Sequence, residues 1–85
     1  MKHATPAILD TIEPLLERIR ALPLNEKSRG IFYLKSRAFL HFHEDPKGLF
    51  ADIRAEDGKD FDRLQVDAAA AQDALVAAAR SRCGA

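Results

Sequence analysis

Between Gly30 and Arg54 the chain reads "GIFYLKSRAFLHFHEDPKGLFADIR" and loses helical periodicity. Aromatic and β-branched residues are dense there, which suits strands rather than helices. In its middle, "EDPKGL" carries strong turn chemistry. Pro46 presets the backbone for a first central position, Asp45 can bond the backbone ahead of it, and Gly48 suits a left-handed position. Side chains alternate across a strand, so a hairpin closed here sorts every flanking residue onto one of two faces. Three strands are expected, over residues 31–35, 38–44 and 49–54. Ser36-Arg37 is the candidate reversal between the first two, although it lacks glycine.

Helical patterns flank this block. Ile8, Ile12, Leu15, Leu16, Ile19 and Leu22 form one apolar stripe, predicting a helix over 8–22. Pro14 is tolerated only in a first turn, so the firm helix is expected from Ile12, capped by Thr11, with a short or kinked lead-in. Pro23 and Asn25 end it. After the loop "AEDGKD", the segment "FDRLQV" alternates, which predicts a fourth strand over 61–66. Asp67 is the N-cap candidate for the alanine-rich helix over 68–82, whose small side chains would let it lie close to a sheet.

Helix, four strands and helix with short connections imply an antiparallel meander with both helices on one face, a two-layer α+β domain spanning 1–85. Eighty-five residues lie near the lower size limit for an unstapled core. The lone Cys83, placed where a terminus would fray, allows no internal disulfide and fits a reducing cytoplasm. No signal peptide is evident, and no run approaches the roughly 18 apolar residues of a membrane span.

With Glu44 paired to Leu49, His41 falls opposite Asp52 and His43 opposite Phe50. With Arg54 opposite Phe61, Arg63 falls beside Asp52. Leu40, Phe42, Leu49, Ala51, Ile53, Leu64 and Val66 then face the helices. The second face collects His41, His43, Phe50, Asp52, Arg54, Phe61 and Arg63, together with Phe39. That face is the candidate binding surface. A one-residue slip in either hairpin would scatter it.

Four chemistries could use such a face. His41, His43 and Asp52 make a workable three-ligand metal set. A His41–Asp52 pair could orient an imidazole for proton transfer, although cross-strand pairing for stability alone looks the same. Lys35, Arg37, Arg54 and Arg63, with the repeated "KSR" at 27–29 and 35–37, could contact nucleic acid beside stacking aromatics. Thirteen basic residues against thirteen acidic ones weigh against that, because polyanion binding draws on a positive excess. Finally, Phe50 and Phe61 could drive a homodimer through the sheet face. An interaction module is the favoured reading, binding is favoured over catalysis, and no resident cofactor is expected. No serine or cysteine is placed as a nucleophile, and no glycine-rich phosphate loop precedes a helix.

The block "RGIFYLKSRAFLHFHEDPKGLFADIR" resembles a small family of uncharacterised bacterial proteins. Its pattern is "LP" after the first helix, an "FLHFHED" strand and an "LFAD" strand, here Leu22-Pro23, residues 39–45 and residues 49–52. The resemblance implies bacterial origin and carries no activity. More distantly, the element order resembles the MmcQ/YjbR-like proteins, which implies the same α+β architecture. The DNA-binding label often given to that group rests on fold analogy.

Overall fold

A computed structural model describes residues 2–84. Strand β1 (Lys2–His3) leads into helices α1 (Pro6–Thr11) and α2 (Glu13–Arg20). Strands β2 (Asn25–Ser28), β3 (Ile31–Leu34), β4 (Arg37–Asp45), β5 (Gly48–Arg54) and β6 (Phe61–Gln65) follow, and helix α3 (Ala69–Arg82) closes the chain. The antiparallel sheet runs β2-β3-β4-β5-β6, with β1 added on β4. The architecture is therefore the expected open-sheet α+β fold, enlarged by two strands.

Both extra strands escaped the sequence pattern for physical reasons. Strand β2 is "NEKS", an edge strand carrying charge in place of alternating apolar residues, as exposed edges commonly do. Strand β1 is two residues long, too short to show any period.

The first helical stripe is split into two helices at Ile12, whose backbone (φ −119, ψ 22) leaves the helical region. Each piece carries a proline in its first turn, Pro6 in α1 and Pro14 in α2, where a missing N–H is harmless. Thr5, not Thr11, is the capping residue, accepting a hydrogen bond from the Ile8 amide; the Thr11 hydroxyl instead donates to the Ile8 carbonyl. Asp67 does not cap α3 either. Its carboxylate accepts from the Leu49 amide and is drawn onto the β4–β5 hairpin, leaving Ala68 as an N-cap without a side-chain bond. Cys83 does not fray: it is the C-cap of α3, half-buried and packed against the core.

The central hairpin has the anticipated register, Glu44 opposite Leu49, closed by one further pair, Asp45 with Gly48. Pro46-Lys47 is thus a two-residue turn in place of the bulged three-residue one. Gly48 has φ +140, a conformation side chains avoid, and a Cβ there would collide with the Asp67 carboxylate. The β3–β4 turn falls one residue earlier than expected. Leu34 pairs with Arg37, and Lys35 supplies the left-handed residue (φ +59) that a tight hairpin needs in the absence of glycine.

One core holds the layers together. Leu15, Leu16 and Ile19 of α2 and Leu75, Val76 and Ala79 of α3 pack with Phe32, Leu40, Phe42, Ala51 and Ile53 of the sheet. Leu49 and Val66 join it as expected, with Leu64 partly buried against it. Phe39 departs from the alternation. A bulge between Phe32 and Tyr33 leaves Phe39 unpaired on β4 and turns it inward beside Leu40, so it is 2% exposed and absent from the histidine face. No described helix packs on the other face. No described helix is long and apolar enough to cross a membrane.

Candidate metal centre on the open sheet face

Strand alternation sets His41 and His43 side by side on the open face of β4. On β5, Asp52 lies opposite His41, and Phe50 lies opposite His43. On β6, Arg63 lies opposite Asp52, and Phe61 lies opposite Arg54. Seven of the eight residues expected on this face are thus in the expected register, Phe39 being the exception. A further member comes from the N-terminus. Strand β1 occupies the part of the β4 edge that β3 does not reach, pairing His3 with His43.

Three imidazoles meet as a result. The ligand atoms that His3, His41 and His43 can offer all lie within 4.8 Å of one another. His41 Nδ1 is 2.8 Å from His43 Nε2, with the two rings edge-on at 83°. The His3 ring lies 4.8 Å from that of His43 and 5.9 Å from that of His41. Two ring nitrogens at that separation either share one proton or point both lone pairs at a common acceptor. In a tetrahedral zinc site, nitrogen ligands at about 2.0–2.1 Å lie about 3.3 Å from one another, so the His41–His43 pair has to open slightly and His3 has to close in.

Asp52 stands next to this group. It is the one buried charged residue among those described, at 7% exposure. Arg63 donates to both of its oxygens, at 2.7 and 2.8 Å, and this fork-on-fork bond holds the carboxyl below its usual range. The carboxylate is therefore ionised, with Oδ2 3.3 Å from His43 Nε2. It supplies negative charge at the cluster while Arg63 fixes its orientation.

Burial lowers the affinity of both strand histidines for protons, below the ordinary value near 6.5. For His41 the neighbouring His43 adds to this; Asp52 opposes it for both. Neutral imidazoles are the form that binds metals. Because the folded values lie below the unfolded ones, the stability linked to these groups is complete above about pH 6.5. It is lost as pH falls from there through the folded values.

The apolar and basic members of the face are partly committed elsewhere. Phe61, 37% exposed, is the one large apolar side chain exposed among the described residues, and Phe50 is only half-exposed. Arg54 lies over the Phe61 ring at 4.6 Å, and His41 sits 5.2 Å from it. The apolar patch is therefore smaller than two free phenylalanines would make. Of the candidate nucleic-acid contacts, Arg63 is held by Asp52, and Arg37 and Arg54 donate to backbone carbonyls at one end of the sheet. Arg29, from the first "KSR", pairs with Asp10 and Glu13.

His3 is the residue that sequence reasoning missed. Its only local signal is that it is the remaining histidine of the chain. Its place follows from a strand pairing that two residues cannot announce.

No family model matches this chain, nor does any curated protein or solved structure.

Proposed function

We propose that the chain is a metal-binding protein, holding one divalent transition-metal ion, of which zinc is the best fit, through His3, His41 and His43. The observation that carries this reading is the convergence of three imidazoles from two strands beside a buried, ionised carboxylate. Imidazole suits zinc, nickel and copper, whereas magnesium and calcium prefer oxygen. Asp52 offsets the charge of the ion, and Arg63 keeps that carboxylate in place as outer-shell partners do. Three protein ligands leave a fourth position on the open face, where an exchangeable ligand can enter.

Self-association across the same face is the second reading, supported by the exposed Phe61. One titration separates the two. At about pH 7.5, zinc is expected to bind near one ion per chain and to raise the melting temperature, with a chelator reversing both. Affinity should fall in acid as protons compete for the imidazoles. Sedimentation run alongside should show a monomer with and without zinc. A zinc-independent dimer with no thermal shift would favour self-association and remove the metal reading.

A further inference from the structure

A second concavity lies at the far end of the sheet, where the β3–β4 turn, the β5–β6 loop and the C-terminus of α3 meet. Its volume is about 360 Å³, within the range of small-ligand pockets. Arg37, Arg54 and Arg82 line it from three different elements, together with Leu34, Phe39 and Glu56.

Two of the three arginines there, like the exposed Arg80 of α3, have no carboxylate partner among the described residues, whereas the chain's other five arginines do. Arg18, Arg20, Arg29 and Arg63 each pair with at least one carboxylate, and Arg82 pairs with Asp62. Among the described residues Arg37 and Arg54 have no carboxylate partner. Both instead donate to the same backbone oxygen, Gly58 O, from 2.6 Å (Nη2 of Arg37) and 3.1 Å (Nη1 of Arg54). Arg82 is close by, donating to the Arg54 carbonyl at 3.1 Å. Two guanidiniums gathered on one uncharged oxygen repel each other, and that oxygen cannot neutralise them. An anion seated between them would.

We propose that this pocket binds a small organic anion, with one carboxylate or phosphate head on a compact apolar body. Each guanidinium has five donors in a planar fork suited to either head. Arg37 has committed one nitrogen and Arg54 two, so donors remain. Leu34 and Phe39 supply the apolar floor, Phe39 reaching it through the bulge on β4. Glu56, exposed and without a hydrogen bond or ion pair among the described residues, discourages a second negative group on the ligand. Asp57 and Asp60 on the same loop disfavour a long polyanion for the same reason. This proposal is independent of the metal site.

The test is calorimetric titration of the full chain with phenyl phosphate, benzoate and inorganic phosphate. Phenyl phosphate and benzoate are expected to bind saturably and to compete, the tighter of the two identifying the preferred head. Inorganic phosphate should bind about tenfold more weakly, lacking the apolar body. Arg37→Gln and Arg54→Gln should each weaken binding by about tenfold or more, as expected for a lost charge-assisted bond, while Arg80→Gln should bind like the parent. Arg37 is exposed, so its variant keeps the fold even if Arg54→Gln does not. No saturable binding of either aromatic anion, or parental affinity in Arg37→Gln, would overturn the proposal.

Discussion

Replacing His3, His41 or His43 singly by alanine is expected to lower zinc affinity by more than about 100-fold in each case. Outer-shell partners of metal ligands cost about 10–100-fold when removed, and a direct ligand must cost more. The result for His3 is the most informative. His41 and His43 belong to the central strand β4 and stay adjacent whatever the N-terminus does, whereas His3 arrives only through the pairing of β1 with β4. If His41, His43 and Asp52 were the ligands, His3→Ala would bind zinc almost as well as the parent. Asp52→Asn should show the smaller loss of an outer-shell group, because it keeps the shape and removes the charge. Competition titration against a chromophoric chelator reads all four.

Phe42→Ala is expected to cost about 3–5 kcal/mol of stability, and Phe61→Ala less than about 1 kcal/mol. Phe42 is 2% exposed in the shared core, whereas Phe61 is 37% exposed on the open face. A small domain has about 5–15 kcal/mol in total, so the first change removes much of it and the second little. At about 4–8 °C per kcal/mol for a domain of this size, the two melting temperatures should differ by more than about 10 °C. Equal losses would mean that the open face is covered and that the two sheet faces are assigned wrongly.

The contrast between these phenylalanines was legible in the sequence because two turns fix it. Asp45, Pro46 and Gly48 set one register, and the loop that brings Phe61 opposite Arg54 sets the other, so the sequence places His41, Asp52 and Arg63 in a row. Phe39 could not be placed the same way. A bulge adds a residue to one strand only, and "RAFLHFH" has no glycine or other mark of it. His3 was hidden for a different reason, since β1 is shaped by the β4 edge it completes and not by its own residues. Local capping chemistry gives way where a competing partner exists. Asp67 had the right chemistry for α3, but the Leu49 amide across the hairpin claimed it. Local pattern therefore located the face, and long-range pairing decided which side chains complete it.

The most direct measurement is a crystal structure of the zinc-loaded protein, with anomalous data collected on both sides of the zinc edge. One anomalous peak per chain is expected on the open face, about 2.0–2.1 Å from one nitrogen each of His3, His41 and His43, with Asp52 still held by Arg63. A chain saturated with zinc but showing no peak between these three rings would contradict the account, as would a peak held by His41 and His43 with His3 turned away.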